Sequence, residues 1–186
     1  MTTTLDPEYA TVGGLLLAPS LYAAVDRWLR REDFAGALSG EIYELIGDMR
    51  GRGVPVDPVT VLGELRQQGR VRPDGYPATE LVAMVQSVPV PEATPYYGRL
   101  VLEAAVFRRV AEYGVRLTQI GELGRGTPED AFEALSQSWR SLADLRRRWQ
   151  EGSEPACRST SVEPGRLADR RRDVAHAARH SVGRSR

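Results

Sequence analysis

Two histidines stand four residues apart near the end of the chain, His176 and His180, with Asp173 one turn before the first. On a helix that spacing places both rings on one face, as some metal pairs require. Asp173 offers a third ligand, but the usual zinc sets add a cysteine cluster or the glutamate of an HExxH helix, and neither is present, so two histidines in a polar tail are the expectation and no metal is predicted. Cys157 is the single cysteine. It excludes an internal disulfide, and no histidine base is placed beside it to make it a nucleophile. The acid pairs Glu32-Asp33 and Glu129-Asp130 read as turn and helix-start residues rather than as general acid and base. All 25 basic residues are arginine. Without lysine there is no phosphate-binding-loop lysine and no Schiff base, and nothing matches GxxxxGK[ST]. The sequence therefore predicts a chain that is not an enzyme and takes no cofactor.

Two arginine triplets are the candidate nucleic-acid contacts, Arg146-Arg147-Arg148 and Arg170-Arg171-Arg172. The first stands at an expected helix end, where it satisfies the helix dipole. The second, in a basic tail, is the one assigned to weak, salt-sensitive contact with nucleic acid. Charge argues against a strong binder. Residues 1–150 hold 17 arginines against 20 acids and residues 151–186 hold 8 against 5, so the body is about −3 and the tail about +3.

The elements that position these groups are helical throughout. Ile42, Leu45, Ile46 and Met49 recur at helical spacing, Gly51 and Gly53 end that helix, and Asp57-Pro58 caps the next, whose apolar stripe is Val59, Leu62 and Leu65 up to Gly69. This pair invites comparison with a DNA-reading helix-turn-helix. Its second helix, however, offers only Arg66, Gln67 and Gln68 near its end, whereas recognition helices read with their N-terminal residues. Upstream, Asp6-Pro7-Glu8 starts a helix with Val12, Leu15 and Leu16 inward, and Gly13-Gly14 lets another helix approach closely. Leu21, Val25, Trp28 and Leu29 repeat the spacing, and Ser39 is placed to cap the Ile42 helix. A short helix over 78–86 follows the turn-rich residues 70–77.

Val88-Pro89-Val90-Pro91 is a stiff connector that separates a globule, residues 1–92, from a hairpin, residues 93–150. Thr94-Pro95 and Thr127-Pro128 open two long helices, and the short break at Gly124-Arg125-Gly126 makes them antiparallel neighbours. Tyr97, Leu100, Val101, Ala104, Phe107, Val110 and Leu117 supply the apolar side of one arm. Phe132, Leu135, Trp139, Leu142, Leu145 and Trp149 supply the other. That is more apolar surface than two helices hide from water between themselves, so either the globule covers the remainder or a second molecule does. From residue 151 the composition turns to Ser, Pro, Gly and Arg, which predicts a linker and a flexible or marginally helical basic tail over 151–186. The fold class is all-α, a globule of about five short helices followed by the hairpin. The longest apolar run near the start, Leu15-Leu16-Leu17-Ala18, is too short for a signal peptide or a membrane span, which predicts a soluble cytoplasmic protein without membrane contact.

Taken together, these motifs resemble the N-terminal domain of bacterial replicative DNA helicases of the DnaB type, over about residues 8–142. Glu8 to Leu17 is similar to the family's first helix. Asp33-Phe34 followed by Ile42-Tyr43-Glu44 resembles its Asp-Phe and Ile-Phe-Glu signature, and Gly53-Val54-Pro55-Val56-Asp57, Thr60-Val61, Leu65 and Gly69 resemble the second. Pro89, Tyr97, Arg99, Val101, Glu103 and Arg108 match the start of its hairpin. Departures occur at Ser39, at Ala93 and at Asp74-Gly75-Tyr76-Pro77, and the family's motor domain has no counterpart here. The resemblance implies a collar domain that dimerises through its hairpin and docks primase or helicase. Self-association, as homodimer or higher oligomer, is then expected of Phe107, Val110, Leu117, Leu135, Trp139 and Leu142. The alternatives are a small DNA-associated regulator acting through Arg170, Arg171 and Arg172, or the fragment of a helicase gene cut short.

Overall fold

Asp6 starts the fold by accepting the amide N–H groups of Glu8 at 2.9 Å and Tyr9 at 3.3 Å, with Pro7 at the first helical position of α1, Pro7–Leu17. In the computed structural model the described residues are 6–70, 77–123 and 127–153. A 3₁₀ turn, Pro19–Leu21, leads into the single turn α2, Tyr22–Val25, and a second, Arg31–Asp33, precedes α3, Ala37–Gly51. Then come α4, Pro58–Gln67, and α5, Ala78–Gln86. After a third 3₁₀ turn, Pro91–Ala93, the long pair follows: α6, Thr94–Leu123, and α7, Pro128–Ser153. No strand occurs among the described residues.

The core is built around α1, which packs on α3, α5 and α6. Val12, Leu15, Ile42, Ile46, Met49, Leu65, Leu81, Met84 and Leu102 are almost wholly buried. Each such side chain contributes about 1.5–3 kcal/mol. Gly13 and Gly14 make this possible. A Cβ on Gly13 would overlap the carbonyl of Met84, and one on Gly14 would overlap the hydroxyl of Thr94, so α5 and the start of α6 both lie directly against the α1 backbone.

Several local expectations hold. Asp57 caps α4 through Val59 and Thr60, at 2.7 and 3.0 Å, and Gly53 takes a left-handed φ of +69° just beyond α3. Others shift for identifiable reasons. Ser39 does not cap α3: it is buried inside the helix, which starts at Ala37. The capping acceptor is Glu8 from α1, whose carboxylate takes the amides of Ala35 at 2.6 Å and Gly36 at 2.9 Å. Leu21 to Leu29 form no continuous helix, since Pro19 starts a 3₁₀ turn and α2 ends after Val25. Thr94 lies within α6 and donates its hydroxyl to Pro91 O at 2.6 Å rather than capping.

The described residues belong to one unit, Met1–Glu154. Cys157, Asp173, His176, His180, Arg170, Arg171 and Arg172 lie outside them, as do Gly124-Arg125-Gly126 and residues 71–76. No described helix is long and apolar enough to cross a membrane.

Candidate functional site

The hairpin is anchored at its base and uncovered beyond it. On α6, Tyr97, Val101, Leu102 and Ala105 are buried, with Val101 and Leu102 in the core cluster of the globule. Val101 thus joins the core of the globule rather than the hairpin seam expected for it, Tyr97 is buried, and Ala104 is exposed. An α6 helix that must face both α1 and α7 divides its apolar residues between two sides.

Arg148 of α7 fixes the second arm. Its side chain is 3 % exposed and donates to Asp33 Oδ2 at 2.5 Å, to the carbonyl of Trp28 at 3.1 Å and to Asp144 at 3.0 Å. Asp33 also accepts the amide of Arg30 at 2.8 Å, and its Oδ1 is buried without a partner among the described residues. From α6, Arg108 donates to the carbonyl of Asp33 at 2.8 Å. Trp28 packs against Gly98 of α6 and Gly152 of α7, and the Arg99 guanidinium lies 5.3 Å from the Trp149 ring. The Arg146–Arg148 triplet is therefore not a helix-end cluster, because α7 continues to Ser153. Arg147 pairs with Asp144 and Glu151, and Arg148 is internal. Burial alone would raise the Asp144 carboxyl, but hydrogen bonds from Arg147 and Arg148 outweigh it and hold the group below the usual carboxylate range.

Beyond this base the hairpin has two unlike faces. Phe107 and Leu142 line an apolar depression of about 310 Å³ together with Val106, Leu145 and Trp149. Three- and four-residue steps continue that face through Val110 and Leu117 on α6 and through Trp139, Leu135 and Phe132 on α7. Phe107 is 69 % exposed, Phe132 68 % and Trp139 71 %; Val110 and Leu135 are also exposed, and Leu117 and Leu142 are half-buried. Arg109, Tyr113, Arg140, Ser141 and Asp144 line a second, polar depression. Its charges are matched within the chain, Arg30 with Asp144 at 3.2 Å and Arg109 with Glu112 at 3.0 Å.

A family model described as the DnaB-like helicase N terminal domain matches residues 1–103, more than half of the chain. The chain belongs to this family. Its DnaB relatives include the replicative DNA helicase DnaB of Mycobacterium leprae, 38 % identical over 141 residues, and that of Leifsonia xyli, 33 % identical over 119. Those matches take in 76 % and 64 % of this chain but 23 % and 26 % of the relatives, so the chain spans about a quarter of the length of these DnaB proteins. The crystal structure of the N-terminal domain of DnaB helicase from Mycobacterium tuberculosis superposes with a TM-score of 0.67 at 34 % identity, covering 73 % of this chain and 96 % of that one.

The residues that carry the DnaB resemblance have structural duties in this fold. Glu8 caps α3, Gly13 and Gly14 admit α5 and α6, Asp33 receives Arg148, and Asp57 caps α4. Tyr43 stacks at 5.2 Å on Tyr22, lies 5.1 Å from Phe34, and donates to Leu29 O at 2.9 Å. The partnership of Asp33 with Arg148 escaped the sequence reading, although the acid at Asp144, four residues before Arg148, signalled that this arginine is held in place.

Proposed function

We propose that this chain is a non-catalytic interaction module of DNA replication, self-associating through the apolar face of its hairpin and docking a primase or a replicative helicase. One observation carries the reading: the apolar stripes of α6 and α7 form a single uncovered face with Phe107, Phe132 and Trp139 about two-thirds or more exposed. Isolated exposed apolar residues are ordinary, but a contiguous face rimmed by polar groups marks an interaction site. The anchoring of Arg148 supports this, since it holds the hairpin rigidly enough at its base to present that face. The match to the N-terminal domain of DnaB helicases supports an assembly role in the cytoplasm over ATP hydrolysis.

Light scattering after size exclusion of the full chain and its Trp139→Asp variant tests the reading. A charge at the centre of the face is expected to lower the mass to that of the monomer while circular dichroism stays helical. An unchanged mass would remove the hairpin as the interface. Docking is tested separately by calorimetric titration with the C-terminal domain of a primase from the same organism, where absence of heat across temperatures would remove primase as the partner.

A further inference from the structure

Beyond its base the hairpin has almost nothing to hold it. Ala105 is the last buried residue of α6 as far as residue 122, and on α7 none is buried before Ser138. Between them Tyr113, Leu117, Ile120, Ala131 and Ala134 are half-buried, while Val115, Phe132 and Leu135 are more than half exposed. Among the described residues no side-chain hydrogen bond or ion pair crosses from 110–122 to 128–137. Those of the outer α7 stay within the helix, as in Gln137 with Glu133 and the Ser138 hydroxyl with Ala134 O. Two glycines, Gly114 and Gly121, also interrupt α6 here, and a Cβ on either would meet nothing within 4 Å. At the base, by contrast, a Cβ on Gly98 would stand 3.1 Å from the Trp28 ring. Close approach thus accounts for the glycine at the base and not for the two farther out. Glycine loses the most backbone freedom on folding and is among the weakest helix formers.

We propose that the outer hairpin, residues 110–122 of α6 and 128–137 of α7, opens and recloses as a unit of its own while the globule and the hairpin base stay folded. Helices shorter than about 12–15 residues are marginal in water unless a face is packed. The base differs in kind. There Val101, Leu102 and Ala105 are buried and Arg148 is fixed on Asp33, so that opening it breaks the core. The free energy of a local opening follows the buried apolar contact it gives up, and the outer hairpin has little to give up. Gly114 and Gly121 weaken α6 where nothing else strengthens it. Any partner that covers the apolar face then binds the closed form, so its apparent affinity falls in proportion to the closed fraction. The inference concerns the single chain and does not depend on what that partner is.

Hydrogen exchange of the full chain tests it, at a dilution where light scattering gives the single-chain mass of 20.5 kDa. Amides of 110–122 and 128–137 are expected to be at least about a hundredfold less protected than those of 98–105 and of α1. Replacing both contact-free glycines, Gly114→Ala with Gly121→Ala, is expected to raise protection of the outer hairpin about fivefold or more while α1 exchanges as in the wild type. An outer hairpin as protected as α1 would overturn the proposal. So would a double variant that raises protection in both regions together, or in neither. Protection that climbs with concentration in the outer hairpin alone supports both this inference and the self-association reading. A chain that stays monomeric with its outer hairpin open removes that reading and leaves the inference standing.

Discussion

Arg148 and Asp33, 115 residues apart in the chain, form a buried ion pair that joins α7 to the turn before α3. The guanidinium also takes the carbonyl of Trp28 and the carboxylate of Asp144, so three of its bonds converge where the hairpin leaves the globule. A buried pair of this kind contributes little beyond an apolar replacement, but losing one partner strands the other charge.

Arg148→Ala is accordingly expected to cost about 3–5 kcal/mol in urea unfolding of the full chain, because Asp33 is then buried unpaired. Arg147→Ala, on the exposed side of the same turn, should leave the unfolding midpoint close to that of the wild type, since solvent screens its pairs with Asp144 and Glu151. Equal costs for the two would show that burial of the Arg148 pair has no energetic weight.

Gly13→Ala should destabilise by about 1–3 kcal/mol or more, since the added methyl meets the Met84 carbonyl on α5 and the Val88 side chain just beyond that helix. Gly63→Ala in α4 meets nothing within 4 Å and is expected to stabilise by about 0.5–1 kcal/mol through helix propensity alone. The pair of melting temperatures should therefore move in opposite directions; movement in the same direction contradicts the close approach of α5.

Removal of the Glu8 carboxylate in Glu8→Ala frees the amides of Ala35 and Gly36 at the start of α3. A loss of about 1–2 kcal/mol is expected, the size of a helix N-cap. Hydrogen exchange of those two amides should rise in the variant. Exchange that is unaltered would exclude Glu8 as their acceptor.

Thermal stability should be level between about pH 5 and 9 and fall on both sides. Hydrogen bonds hold Asp144, Asp57 and Asp130 below the usual carboxylate range: from Arg147 and Arg148 against the opposing effect of burial, from the Thr60 amide, and from Thr127. A carboxylate with a lower pKa folded than unfolded favours folding while ionised, and that advantage goes as pH drops below about 4 toward the folded value. Burial pushes the phenols of Tyr43 and Tyr22 up, so their contribution is complete below about pH 10 and is lost above it. Both histidines of the chain lie in the tail, outside the described residues. A melting temperature that drops steeply between pH 5 and 8 would contradict this account, and Asp144→Asn should shallow the acid limb.

Much of the fold is legible locally because helix stripes and caps are local. The range 78–86 read from Leu81, Val82 and Val85 is that of α5, and Asp57 with Thr60 and Thr127 with Asp130 cap as their spacing implies. What escapes is pairing across distance. Glu8 lies 28 residues from Gly36, so the start of α3 cannot be read from its own neighbourhood, where Ser39 looks the better cap. Likewise nothing near Asp33 announces Arg148, and the triplet reads as a surface cluster until α7 is seen to run on to Ser153. On the hairpin, periodicity finds the apolar side chains but not which side of α6 each serves. Val101 turns to the core while Phe107, two turns on, is bare.

The most direct test of the central claim is sedimentation equilibrium of the full chain over about 1–100 μM, a range suited to micromolar association. The weight-average mass is expected to rise from the 20.5 kDa of the single chain to at least twice that value as concentration increases. A mass that remains at 20.5 kDa throughout would contradict the assignment of the hairpin face to self-association.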